Sequence, residues 1–163
     1  MFFLITTKGT DGKVSEFIEE ANLLNKMTLV DPKGSDFLKY QGASCITPNK
    51  SELRQIIGTW KDENTLEKRA RSLMKKLELK ALLLTRSEEG MTLFEQERTI
   101  NIKAQAKEVF DVSGAGDTVI AVLACLLSEG HSWEESAITA NQAAAVVVGR
   151  LGTSVITPSD ILL

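Results

Sequence analysis

The sequence has little of what builds disulfide frameworks and metal clusters. Of its 163 residues, 2 are cysteine and 1 is histidine. Cys45 and Cys125 lie far apart and match no zinc or redox spacing, so both are expected to be buried, reduced thiols in keeping with a reducing cytoplasm. His131 follows Gly130 at a helix exit and reads as a solvated loop residue with no catalytic role. An excess of one charge is also missing. Lys and Arg number 19 against 22 Asp and Glu, a net charge of −3, which gives no electrostatic case for nucleic acid or an anionic membrane surface. No apolar stretch approaches the ~20 residues that span a bilayer. The opening "MFFLITTKGTDGK" has a short apolar run and no leading positive charge, so it does not read as a signal peptide. Internal repeats and low-complexity tracts are absent. What remains is ordinary globular composition, with 43% hydrophobic and 25% charged residues, enough for one domain with a real core.

The apolar residues alternate between strand-like runs and helical spacing. "FFLIT" predicts a buried strand, and Val14, Phe17, Ile18, Ala21 and Leu24 predict a helix after it. "MTLVD" predicts a second strand ending in the turn-like "DPKGSD", and "ASCIT" a third, closed by Pro48. "SELRQIIG" reads as a short helix stopped by Gly58. Leu66, Ala70, Leu73 and Leu77 mark a longer helix, and the fully apolar "ALLLT" suits a buried parallel strand. "MTLFE" and "TINIK" suit a hairpin-like pair near a sheet edge. Helices are predicted at about Asp117–Ser128 and Trp133–Val148, the second opening on a Ser132/Glu135 capping box, and "TPSDILL" reads as a helix start capped by Thr157 or Ser159. Trp60 and Trp133 are expected to pack on helix surfaces rather than stack on a base. The alternation predicts an α/β, three-layer αβα fold on a mainly parallel sheet. An opening strand with nothing before it, and a helix starting at the last residues, lead us to expect a piece of something longer.

The densest chemistry lies in "DVSGAGDT", Asp111 to Thr118. A strand ending near Val112, a glycine turn and a helix starting near Asp117 would make an anion site. Glycine lets the backbone approach a ligand closely, and the first helical N–H groups are unpaired at the positive end of the helix dipole. Amides of Ala115, Gly116 and Asp117 could then hold a phosphate, while the Asp117 carboxylate accepts a hydroxyl proton. Such positioning is what phosphoryl transfer needs. A plain helix N-terminus with a favourable first-turn acid accounts for the same residues.

"DVSGAGDT" resembles the C-terminal signature of the ribokinase/PfkB family of sugar kinases. Companions fall in family order: "TPNKSE" (47–52), "LLLTRSEEGMTLF" (82–94) and "ANQAAAVVVGRLGT" (140–153). "DPKGSDFLKYQGA" and "TRSEEGM" narrow the resemblance to the branch acting on heptose 7-phosphate in lipopolysaccharide inner-core synthesis, on the way to ADP-heptose. In that branch the kinase is often joined to an adenylyltransferase. The resemblance implies a ribokinase-like fold, with residues 1–163 forming the C-terminal, nucleotide-binding part of the kinase domain. It further implies ATP-dependent phosphoryl transfer to a sugar hydroxyl, namely O1 of D-glycero-D-manno-heptose 7-phosphate, in the cytoplasm.

The resemblance also assigns roles. Asp117 corresponds to the catalytic base, and Gly114, Ala115 and Gly116 to the anion hole. Asn49 and Glu52 match an N-x-x-E motif that organises Mg²⁺, water and nucleotide phosphates, with Glu52 reaching the metal through water; helix capping is the alternative for this pair. Thr85, Ser87 and Gly90 match a strand-end loop near the nucleotide, although many members carry glycine where this chain has Ser87. Asn141 lies on the helix flanking the adenine pocket, or is simply a polar residue on a helix face. Arg86 is a phosphate contact or a surface cation. Asp111 supports a monovalent-cation site or forms a turn. Lys33 meets phosphate or serves the turn at Pro32–Gly34.

On this resemblance, residues 1–163 are expected to leave out the family's N-terminal half, which supplies most of the sugar pocket, and its β lid, as well as the adenylyltransferase domain of the bifunctional enzyme. Val122 stands where many members have a small residue in the helix after the signature. Three readings follow: an ATP-dependent sugar kinase; a nucleotide-binding remnant or half of a split kinase, inactive alone; and a non-catalytic interaction domain with an exposed sheet edge. The expected partners are ATP and a sugar phosphate, with a homo-oligomer or a missing N-terminal half as the protein partner.

Overall fold

The computed structural model describes residues 2–6, 13–105, 110–150 and 155–161. The elements run β1 (Phe2–Thr6), α1 (Val14–Leu23), β2 (Met27–Asp31), β3 (Cys45–Ile46), α2 (Lys50–Ile57), α3 (Glu63–Leu77) and β4 (Ala81–Thr85). They continue with β5 (Met91–Glu95), β6 (Thr99–Ile102), α4 (Ala115–Ser128), α5 (Trp133–Val148) and α6 (Pro158–Ile161). Single 3-10 turns sit at Leu38–Tyr40 and Ser87–Glu89. The strands form one sheet in sequence order, β1-β2-β3-β4-β5-β6. The first four are parallel; β5 and β6 pair antiparallel, as the hairpin pattern led us to expect, and β5 also pairs antiparallel with β4.

Alternation along the strands sends side chains to opposite faces. Val30, Ile46, Leu82, Leu84 and Phe94 pack on one face against Ile18 of α1, Leu53 of α2 and Leu66 of α3. Leu29, Cys45, Leu83 and Leu93 pack on the other against Leu123 of α4 and Ala140 of α5. This is the expected three-layer arrangement. The parallel crossovers through α1 and through α2–α3 lie on a single face, as crossovers of one hand require.

Local chemistry fixes the helix ends. Asn49 Oδ1 accepts the Glu52 N–H while Glu52 Oε2 accepts the Asn49 N–H, a complete capping box on α2. Ser132 and Glu135 form the same box on α5. Asp160 Oδ2 accepts from the Thr157 N–H, closing the start of α6. Arg71 of α3 donates to the Glu95 and Gln96 carbonyls and to Thr99 Oγ1, tying the β5–β6 turn to the helix layer.

Three expectations are corrected. The third strand is limited to Cys45–Ile46 rather than spanning 43–47. No strand enters the glycine turn among residues 110–112, and residues 106–109 lie outside those described. There the Phe110 and Asp111 N–H groups donate instead to the Val148 carbonyl at the end of α5. The helix expected from the spacing of Val14 to Leu24 forms as α1, which buries Val14, Ile18 and Ala21 and leaves Phe17 and Leu24 exposed. Cys45 is buried, which pushes its thiol up to about 12, but Cys125 is exposed. The apolar run of α4 turns Val119, Ile120, Leu123 and Leu127 inward and leaves Cys125 on the outer side. The burial expected for the side chains of Phe2–Thr6 lies outside the described residues. Among the described residues no helix is long and apolar enough to cross a membrane.

Candidate active site

Parallel strands end on one rim of the sheet, where open α/β folds place their ligands. At this rim β2 ends in Asp31, β3 leads into Thr47 and Asn49, β4 ends in Thr85, and α4 starts at Gly114–Ala115. An isolated parallel bridge between Asn49 and Thr85 holds two of these ends together.

Two clefts open there. One, of about 370 Å³, is mainly apolar and runs between the Ser87–Gly90 loop and helices α4 and α5, with Met91, Val119, Ala144 and Val148 in its walls. The other, of about 200 Å³, is polar and is lined by Asp31, Lys33, Asn49, Glu52 and Asp117. Thr85, Gly116 and Val119 line both. The expected residues are thus brought together in two groups. Thr85, Ser87, Gly90, Ala115, Gly116 and Asn141 line the apolar cleft, while Asn49, Glu52, Thr85, Gly114, Gly116 and Asp117 line the polar one.

The glycine turn differs in detail from expectation. Gly114 is the N-cap of α4 at φ 79, a left-handed conformation that favours glycine. The helix therefore starts at Ala115, two residues before the expected Asp117. The Ala115 N–H donates to the Val112 carbonyl at 3.3 Å, so it is already engaged. The Gly116 and Asp117 N–H groups have no hydrogen-bond partner among the described residues. A Cβ added at Gly116 would meet nothing within 4 Å, so the backbone there is bare to the clefts. Asp117 is exposed in the first turn of α4.

On the β3 side, Glu52 is used at both oxygens. Oε2 completes the capping box, and Oε1 accepts from Lys33 Nζ at 2.7 Å. Lys33 Nζ also donates to Asp31 Oδ1 at 3.0 Å. Burial pushes the Asp31 carboxyl up, the Lys33 bond pulls it back, and the charges of Glu52 and Asp117 add to the rise. Burial alone would lower the Lys33 ammonium, but its bonds to Glu52 and Asp31 outweigh that and hold it raised. Asp31 was missed by sequence reasoning. Its signal was its place as the last residue of an apolar strand, just before Pro32.

Other candidates resolve differently. Asn141 is buried and its Nδ2 donates to the Lys103 carbonyl, so it secures one wall of the apolar cleft. Ser87 holds φ 54, a conformation where glycine is easier. Gly90 needs to be glycine, since at φ 95 a Cβ would lie 2.1 Å from the Ile102 carbonyl oxygen. Arg86 is bound by Glu63 and Glu89 and donates to Thr92, so it fixes the loop rather than facing the clefts. Asp111 Oδ1 accepts the Ser113 N–H, the turn-forming alternative. Among the described residues no group of three His, Cys, Asp or Glu is placed to hold a metal ion. Trp60 packs against the core under Arg54, and Trp133 against the opposite layer, as expected.

The family model for pfkB family carbohydrate kinases matches residues 9–160. The chain belongs to this family. It is 50% identical over 155 residues to the Bifunctional protein HldE of Yersinia pestis and of Yersinia pseudotuberculosis, an overlap covering 94% of this chain and 33% of each relative. The chain therefore spans about a third of the length of these curated relatives. Among solved structures it is similar to ribokinase from Arabidopsis thaliana complexed with ribose and ATP, at TM-score 0.83 and 24% identity, over 92% of this chain and 50% of that one. Ribokinase from Giardia lamblia superposes at TM-score 0.84 and 22% identity, over 97% of this chain and 58% of that one. The fold is ribokinase-like and corresponds to roughly half of those kinases.

Proposed function

We propose that this pfkB-family chain is the C-terminal, nucleotide-binding part of a carbohydrate kinase domain, and that it binds Mg-ATP across the two clefts. One observation carries the reading: an apolar cleft suited to a base and a polar cleft suited to phosphates meet at Thr85 and Gly116, beside free helix N–H groups. Among the described lining residues of the polar cleft, Asp31, Glu52 and Asp117 stand against Lys33 alone. A polyphosphate would be repelled there unless it arrived with a divalent cation. When bound, Mg²⁺ would neutralise charge between the phosphates and these carboxylates, with Glu52 approaching it through water.

The reaction that fits is ATP-dependent transfer of a phosphoryl group to a sugar hydroxyl. Asp117 accepts the hydroxyl proton, and the Gly116 and Asp117 amides stabilise charge on the transferred group. Identity to HldE favours D-glycero-D-manno-heptose 7-phosphate, phosphorylated at O1 in a cytoplasmic route to ADP-heptose, as the sugar. Because the chain spans a third of those relatives, a second reading is kept: half of a split kinase that binds nucleotide and needs a separate sugar-binding half to turn over.

Calorimetric titration with Mg-ATP tests the first part, and saturable binding is expected. Asp117→Asn is expected to leave that binding within about threefold while removing turnover measured with heptose 7-phosphate and, if required, the supplied missing half. Turnover at the wild-type rate in this variant would overturn the role of Asp117. Absence of nucleotide binding by the folded wild type would overturn the function.

A further inference from the structure

We propose that the Lys33 side chain is the cation that meets the terminal, transferred phosphoryl group of the bound nucleotide, held for that contact by Asp31 and Glu52. The inference rests on the nucleotide reading above and adds a specificity residue to it.

Position along the sheet supplies the first argument. The apolar cleft lies against β4, β5 and α5, and the polar cleft extends from Thr85 of β4 across to Asp31 and Lys33 at the end of β2. A nucleotide with its base in the first cleft passes its phosphates over Thr85 and Gly116 and ends with the last of them towards β2. Lys33 stands at that far end, in the same cleft as Asp117.

Construction supplies the second. The Tyr40 hydroxyl accepts the Lys33 N–H at 2.9 Å and donates to the Lys33 carbonyl at 3.0 Å, and Tyr40 is fully buried. The backbone of Lys33 is thus fixed independently of its side chain. Its ammonium is then aimed by the carboxylates of β2 and of the first turn of α2. With 41% of the side chain exposed, it remains open to the cleft. It is the only lysine or arginine among the described residues lining either cleft. An ammonium so placed distinguishes a nucleoside triphosphate from a diphosphate, because the diphosphate does not reach it.

The test is calorimetric titration of the full chain with Mg-ATP and, separately, Mg-ADP. Wild type is expected to prefer ATP by about tenfold. Lys33→Met should level the two by weakening ATP alone, leaving ADP within about twofold of wild type. Lys33→Arg, which keeps the charge, should keep ATP ahead of ADP. Thermal melting checks that each variant is folded. Equal binding of ATP and ADP by wild type would overturn the proposal, as would equal weakening of both by Lys33→Met, or an unchanged ATP preference in that variant. An effect of Lys33→Met on heptose 7-phosphate binding alone would assign the ammonium to the sugar's phosphate and overturn it too. Wild type that binds neither nucleotide defeats the functional reading itself, whereas the other outcomes leave that reading standing.

Discussion

Gly116 and Gly90 both line the apolar cleft, yet what lies beyond each backbone differs. At Gly116 the space beyond the backbone is open, so Gly116→Ala meets no protein atom and removes a flexible residue from the first turn of α4. Its melting temperature should hold or rise, by the equivalent of up to about 1 kcal/mol. Its Mg-ATP affinity should fall at least about tenfold, because the methyl group occupies the approach to the amides. At Gly90 the obstruction is the chain itself, at the end of β6. Gly90→Ala should destabilise by about 2–3 kcal/mol in chemical denaturation, whether or not nucleotide is present. The sequence made the "DVSGAGDT" and "TRSEEG" stretches visible as a pair near one ligand. It could not tell a glycine with open space beyond its backbone from one that clears room for β6, since that difference depends on where Ile102 comes to rest.

At the scale of elements, Asn49 serves α2 as a cap, the alternative given for the N-x-x-E stretch, and Asn49 and Glu52 also line the polar cleft, where the proposed ligand role remains to be tested. Two substitutions separate the roles. Asn49→Ala should cost about 1 kcal/mol of stability, or a few degrees in melting temperature for a chain of this size. Asn49→Ser keeps a cap and should melt within about 0.5 kcal/mol of wild type; weaker Mg-ATP binding in that variant assigns Asn49 to the ligand.

The loop after β4 answers to acid instead. The Arg86 bond holds the Glu63 carboxyl below its ordinary range, and bonds to Lys50 and then Arg86 do the same for Glu89. Carboxylates lowered by folding stabilise above their ordinary value of 4.5, and lose that contribution as pH falls through the lowered values. Asp31, raised by burial, works in the opposite sense: its contribution is full below 3.8 and is lost as pH rises through the raised value. Thermal melts from pH 7 down to 3 should therefore fall more steeply for wild type than for Arg86→Met. The Arg86–Glu89 pair is local, three residues apart, but the Glu63–Arg86 pair was illegible in the sequence, because those residues meet only once α3 lies beside the end of β4. Lys33 and Glu52 are likewise 19 positions apart and meet only through β2 and α2.

For the molecule as a whole, layer order and strand membership were readable from the apolar pattern, because "ALLLT" and its neighbours are buried on both faces and helical spacing marks the covers. The entry to α4 was not readable. Phe110–Val112 resemble a strand in composition, but the Phe110 and Asp111 N–H groups turn to the end of α5. The sheet itself carries one more consequence. Its strands lie in the order of synthesis, each beside the one before it, so the platform can be laid down progressively as the chain leaves the ribosome. Only α4 and α5, last but for the short α6, must travel back across it, with α4 reaching β1 and β2. That return brings Asp117 over Asp31 and Lys33. The clefts therefore exist only once α4 has been made, and a nascent chain stalled before α4 would be layered on one face with neither cleft formed.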